Sequence, residues 1–104
     1  MKFDFGGNKH LIDLYTKGAS RKYKFIDKGL AKIFVTRMER IQAAASISDL
    51  FYPASMRFES LEGRENCFSI RINLEYRIEF KIDFTDSART TGTVLILDVT
   101  KHYE

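Results

Sequence analysis

One proline, one cysteine, two histidines and six glycines are all that these 104 residues hold of the side chains that most often break, staple or chelate a polypeptide. So little proline and glycine excludes a linker-rich or disordered chain and argues for a compact globule. A single thiol, Cys67, can neither close an internal disulfide nor furnish a thiolate metal cluster, and its place beside Phe68 at a strand start makes it a small, partly buried filler. His10 and His102 stand far apart and do not complete a ligand set with that cysteine, so neither a metal nor another cofactor is expected. Long apolar runs are missing too. Met1 to Gly7 (MKFDFGG) lacks a signal-peptide core and no stretch approaches the ~20 apolar residues of a membrane span, so the expected location is cytoplasmic, with no membrane partner. Nor does charge of one sign dominate: 17 basic against 14 acidic residues give +3, which suits a polyanionic partner without requiring one.

What is present is a core. With 44% hydrophobic and 13% aromatic residues, the chain is expected to form one domain over 1–104 that buries roughly 65% of its unfolded surface. No internal repeat or low-complexity tract divides it. MKFDF alternates, with Phe3 and Phe5 on one face, and is stopped by Gly6-Gly7, so it reads as a short first strand. Asn8 is a good N-cap for a helix KHLIDLYTK with Leu11, Leu14 and Tyr15 on one stripe and Gly18 at its C-terminal stop. ASRKYKF is expected as a basic loop. A second helix begins after Asp27 and carries Leu30, Ile33, Phe34, Met38, Ile41 and Ala45 at helical spacing, with Lys28, Lys32, Arg37 and Arg40 on its other face. Beyond SISDLFYPAS come four strand candidates, 56–61, 67–73, 76–84 and 93–100, the last two joined by the polar loop TDSARTTG. The fold class is therefore α+β: a short N-terminal strand, two helices, then an antiparallel sheet of about four strands with the helices on one face.

The stretch FSIRINLEYRIEF sets a register problem. Phe68, Ile70 and Ile72 alternate with Ser69, Arg71 and Asn73, and after a turn Tyr76, Ile78 and Phe80 alternate with Arg77, Glu79 and Lys81. Both apolar rows must cover one core, which requires Ile72 to pair with Tyr76 and so sets Arg71 opposite Arg77. Like charges directly opposite on a sheet are unfavourable, by an amount comparable to the ~0.2–1 kcal/mol that opposite charges contribute. The sheet face away from the helices is where chemistry can sit. Arg71, Arg77 and Lys81 line it, and the last strand runs out into Lys101, His102, Tyr103 and Glu104. A solvated arginine face balanced by Glu75, Glu79 and Asp83 is the alternative reading of the same residues.

From Tyr15 to Tyr103 the chain resembles the HigB branch of the RelE superfamily of toxins from toxin–antitoxin pairs. The resemblance rests on YTKG followed by a basic loop, a long helix ending in ERIQAAASISDL, the LEG element at Leu61 to Gly63, FSIRIN and YRIEF, and a last strand leading into KHY. It implies a small α+β RelE-like ribonuclease fold, a toxin that inhibits translation by cleaving messenger RNA in the ribosomal A site, and a HigA-like helix-turn-helix antitoxin as partner. In the family, an arginine in the strand after the hairpin contacts the scissile phosphate, and Arg77 in YRI matches it; Arg71 in SIR is a second match. Where the family's LKG element supplies a lysine, and a histidine three residues earlier, this chain has Glu62 and Glu59. Arg64 and Arg57 flank that element and could restore positive charge for RNA, as could Lys101 and Lys81. The family's C-terminal aspartate-tyrosine-histidine order is replaced by His102-Tyr103.

Metal-independent RNA cleavage needs a base for the 2′-hydroxyl, cations for the pentacoordinate phosphorane and help for the leaving 5′ oxygen. Arginine suits the second task, because its fixed donor fork matches phosphate oxygens and stays ionised. The resemblance makes Arg77 and Arg71 the catalytic cations, with a phosphate or a partner's carboxylate expected between them. His102 is the candidate acid or base, and Tyr103 would stack on a nucleobase or orient it. The two glutamates keep a different class of function open, a non-catalytic RelE-fold module that docks RNA or an acidic partner through its basic face. An antitoxin is disfavoured, since no run of short helices with a helix-turn-helix is visible.

Overall fold

The computed structural model describes residues 1–101, so the two C-terminal candidates, His102 and Tyr103, lie outside the described residues. The element order is β1 (Phe3–Asp4), α1 (Lys9–Lys17), α2 (Lys28–Ala43), β2 (Glu59–Ser60), β3 (Cys67–Arg71), β4 (Tyr76–Phe84) and β5 (Gly92–Lys101). They form a five-stranded sheet in the order β1-β5-β4-β3-β2. The ladders β2–β3, β3–β4 and β4–β5 are antiparallel, whereas β1 joins the outer side of β5 in parallel and makes the sheet mixed. A strand that leads into two helices before the sheet resumes can return beside the last strand in either direction. Two residues of MKFDF carry no signal for which.

Both helices are capped as their sequences predict. The Asn8 side chain accepts from the His10 and Leu11 amides at 3.0 and 3.3 Å, and Asp27 accepts from Leu30 at 2.8 Å. Gly18 closes α1 at φ 72°, a left-handed conformation that costs glycine nothing. The apolar stripe of α2 is rotated slightly from the expected one. Ala31, Phe34, Met38 and Ile41 are buried, Leu30 and Ile33 only half so, and Ala44 takes the inward place expected of Ala45, because the helix ends at Ala43 and the chain turns extended. The loop after α1 is basic but not open. Tyr23 and Ile26 are buried, and the Tyr23 hydroxyl donates to Asp98 on β5 at 2.6 Å. Burial, and then the bond to Asp98, push the Tyr23 pKa well above the ordinary tyrosine range.

The core lies between the helices and one face of the sheet. Leu11, Leu14, Phe34, Met38 and Ile41 pack on Ile70, Ile72, Ile78, Phe80, Ile82, Val94, Ile96 and Val99. Phe58, Phe68 and Phe80 extend it as a ring stack with centroids 5.2 and 6.2 Å apart. The hairpin register is the one the alternation demands: Ile70 faces Ile78, the Ile72 amide donates to the Tyr76 carbonyl at 2.9 Å, and Arg71 faces Arg77. Asn73 sets the turn by accepting from the Glu75 and Tyr76 amides at 2.9 and 2.8 Å. A bulge between β4 and β5 brings Ile96 and Val99 to the same apolar face, with Asp98 opposite Glu79.

The segment before β2 departs from expectation. In place of a strand over 56–61, a short 3-10 turn at Ala54–Met56 ends on Arg57 at φ 50°, and only Glu59–Ser60 pair with β3. The buried Met56 side chain anchors the turn. Among the described residues no helix is long and apolar enough to cross a membrane. Replacing the fully buried Phe80 by alanine is expected to cost about 3–5 kcal/mol. Tyr76→Ala, at a half-buried ring stacked on Phe25 at 4.8 Å, is expected to cost less. Chemical denaturation of the two variants checks the order.

Candidate functional site

β4 builds both faces of the sheet at once. Its inward residues Ile78, Phe80 and Ile82 hold the core, so Arg77, Glu79 and Lys81 must project from the other face. Reading across the ladders, Arg71, Arg77 and Thr100 form one row of that face, with Ser69, Glu79 and Asp98 next and Cys67, Lys81 and Leu95 beyond. The middle of the face is not the open surface that alternation suggests. Ser69, Arg71 and Glu79 retain only 3, 8 and 7% exposure, and Cys67 is buried beside them.

Glu79 is the hub. Its Oε1 accepts from Arg64 Nη1 at 2.9 Å, and its Oε2 accepts from Arg77 Nη2 at 3.1 Å and from the Thr100 hydroxyl at 3.0 Å. Arg77 Nε also approaches Thr100 Oγ1 at 3.4 Å. Burial alone would raise the Glu79 pKa. The bonds from Arg64 and Thr100 and the charges of Arg77 and Arg64 outweigh it and hold the carboxyl below the ordinary value of 4.5. The same bond raises the pKa of Arg64, a side chain still 46% exposed. Among the described residues the cluster brings the guanidinium groups of Arg64, Arg71 and Arg77 around the Glu79 carboxylate.

Glu79 meets part of the register problem from within the protein, beside the external anion expected between the arginines. A carboxylate of the protein itself binds Arg77 and helps to hold the row, so removing Arg77 strips Glu79 of a partner rather than simply relieving a repulsion. The cluster brings together Arg64, Arg71 and Arg77 among the candidate residues. Lys81 lies two rows away and exposed. Lys101 pairs with Tyr76 and so alternates to the helix side of the sheet. Arg57 is exposed on the other side of β3, in a groove that also contains Arg71. Glu59 and Glu62 are exposed, and His10 sits exposed on α1. Sequence reasoning named Glu79 as one counter-charge among Glu75, Glu79 and Asp83 and passed over Thr100. The available signal was that Glu79 follows Arg77 by two residues on one strand face. Among the described residues no three His, Cys, Asp or Glu side chains gather as a metal site.

A sheet with two helices on one face and a carboxylate-braced arginine cluster on the other defines a small α+β protein of RelE-like architecture. Residues 3–93 match the family described as HigB-like toxin, the RelE-like toxin of type II toxin–antitoxin system HigB. The chain belongs to that family. It is also 34% identical over 62 residues to Toxin HigB-1 of Vibrio cholerae serotype O1, a match spanning 59% of this chain and 65% of that protein. The family match includes Arg57, Arg64, Arg71, Arg77 and Lys81, and stops before Lys101, His102 and Tyr103.

Glu79→Gln keeps the shape and removes the charge, with an expected loss of about 1–3 kcal/mol near pH 7. A carboxyl whose folded pKa is depressed stabilises the fold fully above its unfolded value and loses that contribution as pH falls through the folded one. The gap between wild type and Glu79→Gln should therefore narrow in acid. Urea titrations at about pH 7 and pH 3 check this, and an unchanged gap would mean that the Glu79 charge does not brace the fold.

Proposed function

We propose that this protein is the toxin of a type II toxin–antitoxin system and acts as a metal-independent endoribonuclease on messenger RNA at the ribosome, thereby inhibiting translation. The observation that carries the reading is the braced arginine pair: Arg77, held by Glu79 and Thr100, directly opposite Arg71 on the sheet face away from the helices. Guanidinium groups fixed before the substrate arrives stabilise charge developing on a phosphorane without reorganising. Glu79 is a positioning residue, because a carboxylate already hydrogen-bonded and held at low pKa is a poor proton carrier. Proton transfer falls to His102, with Tyr103 stacking on or orienting a base; Arg64 and Lys81 add positive charge for RNA on this face. Lys101, at the end of β5, and Arg57 would contact RNA beyond it. The partner that neutralises the protein is a HigA-like helix-turn-helix antitoxin, and the site of action is the cytoplasm.

A second reading keeps the fold and drops the chemistry. Glu59 and Glu62 stand exposed where the resemblance led to expecting histidine and lysine, which favours a module that docks RNA or an acidic partner without cleaving. Induced expression in a bacterial host separates the two. Growth arrest, relieved by the neighbouring gene and accompanied by cleaved messenger RNA, is the expected result, whereas arrest with intact RNA supports the docking module. Arg77→Gln should lose about 10²–10³ in cleavage rate, by analogy with loss of one oxyanion donor. His102→Ala should also lose activity, with a deficit that varies with pH around ~6.5. An Arg77→Gln protein that folds and cleaves at the wild-type rate would remove the arginine pair from the mechanism.

A further inference from the structure

Around the edge of β3 from the arginine pair lies a groove of about 620 Å3, lined by Arg37, Ala54, Ser55, Arg57, Arg71, Ile72, Asn73 and Leu74. Three of these described lining residues are arginines and none is acidic. Arg37 comes from α2, and its Nε donates to the Arg71 carbonyl at 2.9 Å, tying the helix to the end of β3. That is its one hydrogen bond among the described residues, and the half-buried Arg37 lines the groove. Burial, and then the neighbouring charge of Arg40, lower the Arg37 pKa, as befits a cation placed where no carboxylate offsets it. Arg57 holds a left-handed backbone, φ 50°, although it is not glycine, and its side chain is exposed with no ion pair among the described residues. Such strain at an exposed cation is the kind that persists at binding sites. Leu74 stands 83% exposed at the hairpin end of the groove, an apolar surface against which a base can rest.

We propose that this groove is a second phosphate-binding stretch, which takes the sugar-phosphate backbone of a single-stranded RNA as it leaves the Arg71–Arg77 pair. Arg71 joins the two, because it lines the groove, where its carbonyl accepts from Arg37, and faces Arg77 across the hairpin. Arg37, Arg57 and Arg71 thus share one groove and Arg71 faces Arg77, an arrangement suited to a polymer with one negative charge per unit. An acidic protein segment is the competing occupant, and continuity with the pair favours the nucleic acid. This inference rests on the proposed ribonuclease reading, and binding rather than toxicity tests it.

The experiment measures affinity and its salt dependence for the purified full chain with 2′-O-methyl RNA, which cannot be cleaved, in lengths of about three and about ten nucleotides. Arg57→Gln, a surface change, should weaken the longer oligomer about tenfold, lower its salt slope by about 0.7 for the lost phosphate contact, and leave the shorter one unchanged. Arg37→Gln should act alike if its melting temperature is preserved. Should Arg77→Gln weaken binding while Arg57→Gln leaves the longer oligomer untouched, the groove is off the RNA path and this inference falls, with the ribonuclease reading intact. If neither variant changes RNA binding, both fall. An Arg57→Gln protein that binds RNA normally but loses the neighbouring gene's product would assign the groove to a protein partner and overturn the proposal.

Discussion

A buried carboxylate must be paired, and Glu79 is the point from which the polar half of this molecule is organised. At 7% exposure it can stay ionised only because Arg64, Arg77 and Thr100 replace the water it has lost. Those three partners come from the loop before β3, from β4 and from β5, so one side chain ties together the segments that shape the far face of the sheet. The charge it carries also decides how arginines can crowd there. Arg71 and Arg77 face each other across the hairpin, and Glu79, two residues along from Arg77, lowers the local positive field.

The arrangement depends equally on the apolar side. β4 places Ile78, Phe80 and Ile82 in the core through the same alternation that sends Arg77, Glu79 and Lys81 outward, so a slip of one residue would bury three charges and expose three aliphatic or aromatic groups. Core packing against α1 and α2 therefore guarantees the register of the arginine cluster. The bulge opposite Glu79 has a related effect: it turns β5 so that Asp98 meets the Tyr23 hydroxyl while Thr100 meets Glu79. Tyr23 in turn holds the basic loop after α1 against the sheet.

Membership of the HigB-like family accounts for the fold, and the chain's own residues modify what that fold presents. Exposed glutamates, Glu59 and Glu62, occupy the element before β3, and Arg64, next to it, is drawn into an ion pair. At the hairpin end of the sheet, Arg71, Arg37 and Arg57 line a groove with no acidic residue among its described lining residues. A field concentrated there would guide a polyanion along the sheet edge as well as onto its face.

Much of this was legible in the linear sequence because it is set by short-range rules. Asn8, Asp27 and Gly18 marked the helix ends, the period-two alternation of FSIRINLEYRIEF required Arg71 to face Arg77, and the element order implied an α+β sheet with helices on one side. The sequence could not decide whether the other face was open, since burial of Ser69, Arg71 and Glu79 depends on contacts between segments far apart in the chain. Nor could it reveal the parallel return of β1, because a two-residue strand has no preference that survives outside its neighbours. The collapse of the expected strand at 56–61 into a 3-10 turn followed from where Met56 found a buried place. The sequence by itself determined which residues alternate and which are capped, whereas only the tertiary structure decided that Glu79 is the counter-ion of Arg77 and Arg64. The physical reason is that periodicity is a property of neighbouring residues, while the partner of a buried charge is chosen by whatever distant groups the folded chain brings within hydrogen-bonding reach.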